Sequence, residues 1–272
     1  MTDVKMSAQG RVWFAFASLV GGLLFPCLAS AQFFEFQVNE LQFQYSDRYE
    51  IPFTGEDDTE RGVVWTFQHA DAWKYGDNFG FLDYSNLDDS GNDLYGEFYP
   101  NFSLGKITGK RVGLWRVKDV GILAGINWGR DTEILKYLPG IRLSWDIPGF
   151  AFLNSDFTLF IDDNGGVDSG GVPKEDDSWM LDINWAAPFD IGRHSFSIEG
   201  HVEYIGERDN EFDEEVSWWI LGQPQFRYDL GKTLFNKPNQ LFVGVEWQFW
   251  INKQGDSDTN ENAPQVLIVG RL

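Results

Sequence analysis

Ser195-Phe-Ser-Ile-Glu-Gly-His-Val-Glu-Tyr204 sets Phe196, Ile198, Gly200, Val202 and Tyr204 against Ser195, Ser197, Glu199, His201 and Glu203. Side chains on a strand point to opposite faces in turn, so this is the signature of a strand with one apolar and one polar face. The pattern recurs. Ile141, Leu143, Trp145 and Ile147 oppose Arg142, Ser144 and Asp146, and Trp179, Leu181, Ile183 and Trp185 oppose Met180, Asp182 and Asn184. Leu241, Val243, Val245, Trp247 and Phe249 oppose Gly244, Glu246 and Gln248. No helical stripe of comparable length occurs. With Gly, Asn, Asp and Pro clusters as punctuation, strands are expected near 36–46, 62–70, 78–85, 94–102, 118–128, 140–147, 155–162, 178–186, 194–205, 216–228, 240–251 and 265–272.

A soluble sandwich would turn the apolar face inward, and a membrane barrel would turn it outward. The polar face carries Arg142, Asp146, Asp182, Glu199, Glu203, Arg227 and Glu246 at mid-strand. The apolar face carries Trp128, Trp145, Trp179, Trp185, Tyr204, Trp218, Tyr228 and Trp247, mostly toward strand ends. Aromatic girdles at both edges of a lipid band belong to outer-membrane barrels, whereas a sandwich would hold them centrally. The expected fold is therefore all-β, a transmembrane up-and-down antiparallel β-barrel of about twelve strands.

Of 272 residues, 42 are Asp or Glu and 21 are Lys or Arg, a net charge of −21. Such acidity argues against nucleic acid as a partner, because phosphates need cations to neutralise them. Aromatic residues make up 17% of the chain, far too many for a disordered polymer. Cys27 is the lone cysteine, and the histidines are His69, His194 and His201, which leaves little room for disulfides, thiol catalysis or cysteine-ligated zinc. Lys5 and Arg11 precede the apolar run Val12–Leu28, followed by Ala29-Ser-Ala31. That layout reads as a secretory signal peptide over 1–31, with the barrel over 32–272 and Cys27 leaving with the signal.

The connections sort by charge. Odd-numbered ones hold Glu50, Glu56, Asp57, Asp58 and Glu60; Asp88, Asp89 and Asp93; Asp162, Asp163, Asp168, Glu175, Asp176 and Asp177; Glu207 to Glu215; and Asp256, Asp258 and Glu261. Even-numbered ones hold Lys106, Lys110, Arg111, Arg116, Lys118, Arg193, Lys232 and Lys237. A meander barrel puts these two sets on opposite sides of the membrane, and with periplasmic termini the acidic side faces outward. Asp256-Ser-Asp-Thr-Asn260 echoes the start of a calcium loop, but Glu261 stands where that loop needs glycine. Loose association of divalent cations beside lipopolysaccharide is the expectation instead.

The segment Phe67-Gln-His-Ala-Asp-Ala-Trp-Lys-Tyr-Gly-Asp77-Asn, then Phe81-Leu-Asp83-Tyr, then Tyr95-Gly-Glu97-Phe-Tyr-Pro100-Asn-Phe102-Ser103-Leu-Gly-Lys106-Ile-Thr108, resembles the nucleoside-specific channel-forming (Tsx-like) outer-membrane family and its OmpK-like members. The core of that resemblance is Glu-x-x-Pro-x-Phe-Ser-x-x-Lys-Ile-Thr. It implies a monomeric twelve-stranded barrel with a narrow aromatic-rich pore for nucleosides, and surface loops that serve phage as receptors. A nucleoside offers a flat base and sugar hydroxyls, so a selective pore needs aromatic faces and polar groups that bind weakly enough to release it. The inward face supplies candidates: Phe81, Asp83, Tyr95, Glu97, Tyr99, Arg142, Asp146, Asp182, Glu199, His201, Glu203, Arg227 and Glu246. No cofactor, metal site or catalytic set is expected. The alternatives are a general or closed structural or adhesion barrel and, from another class, an outer-membrane hydrolase using His201 and its neighbours Glu199, Glu203 and Ser197.

Overall fold

The computed structural model describes residues 34–54 and 58–272. The expected signal peptide over 1–31 and loop residues Gly55, Glu56 and Asp57 lie outside the described residues. The strands are β1 (Phe34–Glu50), β2 (Thr59–Trp73), β3 (Gly76–Leu87), β4 (Gly91–Ser103), β5 (Val117–Gly129), β6 (Leu135–Trp145), β7 (Phe152–Asp162), β8 (Ser178–Ile191), β9 (His194–Ile205), β10 (Arg208–Asp209), β11 (Glu215–Val216), β12 (Trp219–Gly222), β13 (Gln225–Asp229), β14 (Leu241–Ile251) and β15 (Glu261–Arg271). Neighbours pair antiparallel in chain order, and β15 pairs both β14 and β1, with Glu40 opposite Arg271 and Tyr45 opposite Val266. The sheet therefore closes and has no free edge. β12 and β13 both lie between β9 and β14 and form one interrupted stave, so the closed wall has twelve staves. β10 and β11 make a small hairpin in the loop that follows β9.

The greasy face is outside. Val245, Ile183 and Trp247 are 47%, 39% and 50% exposed, while Arg227 and Glu246 are 2% and 4% exposed. Burial alternates along β1, where Glu40, Gln42, Gln44 and Ser46 are buried and Leu41 and Tyr45 are exposed. Water would penalise this exterior, whereas hydrocarbon fits it, and a closed barrel leaves no unpaired backbone group in the lipid. Aromatics gather at the two edges of the band. Trp179, Tyr204 and Trp218 pack in series near the loop end, with centroids 5.0 and 5.8 Å apart. Trp73 packs edge-on against Tyr75 and Phe102 at the turn end, 5.4 and 6.0 Å away.

The segment expected as one strand over 216–228 is broken at Gln223-Pro224, because Pro224 has no N–H to give the ladder. Opposite the break, Gly200 adopts φ +139°, and a Cβ there would sit 2.3 Å from the Gln223 carbonyl. The kink aims Gln223 into the lumen. The acidic connections sit at one end and the basic ones at the other, as their parity in the sequence requires.

Candidate functional site

The lumen is the site, and the sheet's alternation delivers it. Along β3 and β4, register places Phe81 opposite Glu97, Asp83 opposite Tyr95 and Phe79 opposite Tyr99, all facing inward. The Phe81 and Tyr95 ring centroids lie 6.2 Å apart, as do those of Phe79 and Phe81. The third and fourth staves stand opposite the ninth and tenth, so these rings face His201, Glu203 and Gln223 across the barrel. Tyr95 Oη donates to Glu97 over 2.6 Å, and Tyr99 Oη donates to Asn127 over 2.9 Å.

Two sets of bonds cross the interior between non-adjacent staves. Arg142 grips Asp156 through Nε and Nη2 at 2.8 and 2.7 Å and reaches Asp77, three staves away, with Nη1 at 2.8 Å. Arg227 pairs with Glu40 at 3.0 Å, and Gln225 donates to Gln42 at 3.1 Å. Phe81, Asp83, Tyr95, Glu97, His201 and Glu203 are only half-buried, so they border the space between these ties. A polar relay runs along the far wall: His201 Nδ1 lies 3.0 Å from Asp182 and its Nε2 2.9 Å from Gln223, which donates to Gln248 at 2.7 Å. Thr66 donates to Asp83 at 2.6 Å, and Gln225 donates to Glu246 at 2.5 Å.

The expected inward residues thus divide. Phe81, Asp83, Tyr95, Glu97, Tyr99, Asp182, His201 and Glu203 line the lumen together. Arg142, Glu199, Arg227 and Glu246 are also inward, but they are held in ion pairs or hydrogen bonds, Glu199 lying 3.4 Å from Arg227. Asp146 is a correction. β6 ends at Trp145, and Asp146 is exposed at the turn rim, its amide bonded to the Arg116 carbonyl. The expected strand 140–147 ran two residues too far, since Ile147-Pro148-Gly149 already belongs to the turn.

Sequence reasoning missed two parts of the lumen. The first is the amide ladder of Gln42, Gln44, Gln223, Gln225, Gln248 and Gln265, although the Glu40-Gln42-Gln44-Ser46 alternation pointed to it. The second is an apolar sector, Tyr99, Leu123, Leu138, Phe160, Met180, Ile205 and Trp219, packed inside the loop-end half of the barrel. Arg208 covers it, its guanidinium 4.2 Å from the Trp219 ring centre, and pairs with Glu175, which also holds Lys136 at 2.5 Å. No signal marked this sector, because the strand faces that bear Leu138 and Phe160 bear apolar residues on both sides.

Asp182, His201 and Glu203 offer ligand atoms within 4.8 Å of one another and could hold a divalent cation, a set the sequence reading did not foresee. The hydrolase idea finds no geometry. Ser197 Oγ donates to Glu199, and both His201 nitrogens are engaged by Asp182 and Gln223, so no hydroxyl rests on the imidazole.

The resemblance block proves largely architectural. Ser103 caps a short helix, Leu104–Thr108, by accepting from the Lys106 amide at 2.9 Å, and its hydroxyl donates to Asp119. Lys106 Nζ donates to the carbonyls of Trp73 and Gly76 at 2.8 and 3.0 Å and to Glu35 at 2.8 Å. Pro100 and Phe102 face outward. Of the core motif, Glu97 and Ser103 share the inward parity, and Ser103 is engaged by Asp119 and the Lys106 amide.

Outside the membrane band, Glu211 accepts the amides of Val167 and Lys174, each at 3.0 Å, which holds its carboxyl below the ordinary range. Burial pushes Asp256 up, but the Thr259 hydroxyl and the amides of Phe53 and Asp258 outweigh it and hold it low. Both oxygens of Asp256 are therefore used, within its own loop and in tying it to the β1–β2 connection.

No family model and no curated protein matches the chain. Solved structures do. The NanC porin is 12% identical with a TM-score of 0.52, the match covering 85% of this chain and 100% of that one. The KdgM porin is 8% identical with a TM-score of 0.45, covering 86% and 98%. An outer membrane channel from Pseudomonas putida F1 is 10% identical with a TM-score of 0.46, covering 90% and 100%. The first likeness shows that this chain has the fold of an outer-membrane barrel.

Proposed function

We propose that the chain is an outer-membrane channel for passive diffusion of small solutes that carry a flat ring and hydroxyls, nucleosides being the class that fits. The observation that carries this reading is the Phe81–Tyr95 ring pair facing the His201–Glu203 polar group across a lumen narrowed by ion-pair ties. The rings supply stacking faces. Glu97 and Glu203 supply acceptors for hydroxyls and base edges, with His201 held beside them by Asp182 and Gln223, and such contacts must stay weak enough for release. The block that resembles the nucleoside channels supports the same reading. It takes the barrel as a monomer in the outer membrane of a Gram-negative bacterium, with acidic loops outward beside lipopolysaccharide and available to phage.

Liposome flux tests it. Nucleosides are expected to enter faster than hexoses, although the hexoses are smaller. Replacing Phe81 and Tyr95 together with Leu is expected to abolish that preference while hexose flux persists, since base stacking on one aromatic ring contributes about 1–3 kcal/mol. Equal rates for both solutes in the parent protein would make it a general pore. A closed barrel is the second reading, favoured by the apolar sector and Arg208 beneath the loops. It predicts no single-channel current in planar bilayers, where the channel reading expects small steps reduced by added nucleoside.

A further inference from the structure

A cavity of about 490 Å³ opens at the turn end of the barrel, lined by Arg193, His194, Lys232, Thr233 and Asn236. Its walls come from the β8–β9 turn and from the short helix Leu230–Phe235 that follows β13. It lies on the outer, lipid-facing corner. His194 and Tyr228 share the outward parity of Ile198 and Phe226, which are 42% and 46% exposed. Three features converge there. First, the lining is cationic. Arg193 is exposed and has no ion-pair partner among the described residues, whereas Lys232 shares Asp190 at 3.5 Å and Ser195 at 2.5 Å. Second, an aromatic ladder rises from the cavity along the outer wall. Phe196 stacks on Phe189 and Phe226 at 5.5 and 5.6 Å, and lies 5.2 Å from Tyr228. Third, the Tyr228 hydroxyl joins the ladder to the cavity, 2.8 Å from His194 Nδ1 and 2.7 Å from Thr233 Oγ1. Beside it the helix exposes Leu234 and Phe235, at 62% and 61%.

We propose that this corner binds an anionic glycerophospholipid of the inner leaflet, its phosphate in the Arg193–His194–Lys232 cavity and its acyl chain along the Phe189–Phe196–Phe226 ladder. A guanidinium and an ammonium beside hydroxyl and amide donors suit a phosphate diester, for which Arg offers two parallel N–H bonds. A ring surface directly above suits the chain of the same molecule, and exposed Leu234 and Phe235 suit insertion at the headgroup level. A free phosphate would use the cavity and leave the ladder without a role. The binding rests on the barrel spanning the membrane with its basic turns on the periplasmic side, not on which solute crosses it.

The test is native mass spectrometry of detergent-solubilised protein titrated with phosphatidylglycerol, phosphatidylcholine or inorganic phosphate, for the parent chain and for Arg193→Ala combined with Lys232→Ala. Heat-dependent gel migration confirms that both are folded barrels. The expected result is one tightly retained phosphatidylglycerol, about tenfold weaker in the double variant, with phosphatidylcholine, whose choline ammonium offsets the same phosphate, weaker in the parent and less affected by the substitutions. Equal retention of the two lipids, or no loss in the variant, overturns the proposal, as does displacement of the lipid by millimolar inorganic phosphate. Loss of heat-dependent migration in the parent would instead refute the barrel on which the inference rests.

Discussion

At the scale of single residues, the account depends on charges that are buried yet paired. Arg142 is fixed by Asp156 and Asp77 together, and removing it would leave two inward carboxylates facing each other's field. Breaking a buried pair by deleting one partner costs about 3–5 kcal/mol. Arg142→Met is therefore expected to lower the unfolding free energy by an amount of that order, read as a lower urea midpoint by tryptophan fluorescence in lipid vesicles, whereas an unchanged midpoint would mean that water reaches the pair freely. At the same scale the polar residues were readable in the sequence, because each sits at alternate positions in a segment whose other face is apolar. Asp146 was not, since nothing in Arg142-Leu-Ser-Trp-Asp146 says where the strand stops. Proline and glycine two residues later end it, and that boundary is set by the turn rather than by the alternation.

At the scale of elements, the broken stave and the loops make the sharpest claims. Gly200 holds a positive φ where a side chain would meet the Gln223 carbonyl, so Gly200→Ala strains the backbone by about 1–3 kcal/mol. It should also displace Gln223 from His201, visible as slower insertion and a lower thermal midpoint, while Ala at the unstrained outer position 202 should change neither. The loops respond to acid. Glu211 and Asp256 have carboxyls held below their ordinary values, so their contribution is present above the ordinary carboxylate range, about pH 4, and is lost as pH falls through the lowered values. Amide exchange at Val167, Lys174 and Phe53 should accelerate below about pH 4 beyond the intrinsic pH effect, and Glu211→Gln should remove the change at Val167 and Lys174 only. The break at Pro224 was legible as a proline inside an expected strand. The apolar sector around Leu138, Phe160 and Met180 was not, because inward and outward apolar residues look alike in a short run.

At the scale of the whole molecule, closure and charge segregation were the features the chain declared most openly. Twelve alternating segments, aromatic ends and acid concentrated in every second connection all point to one arrangement, and β1 pairing with β15 supplies it. The ties across the lumen were hidden, since partners such as Arg142 and Asp77 are 65 residues apart and meet only once the sheet has rolled up. The barrel's orientation toward lipid underlies the channel reading, the outward loops and the lipid corner alike. It is tested most directly by nitroxides attached to cysteines at Val245, Ile183 and Asp83, one at a time in a Cys27→Ser background, in proteoliposomes. Relaxation at 245 and 183 is expected to be dominated by molecular oxygen dissolved in hydrocarbon, and relaxation at 83 by a water-soluble nickel complex. Nickel-dominated relaxation at 245 and 183, with oxygen dominant at 83, would contradict the account.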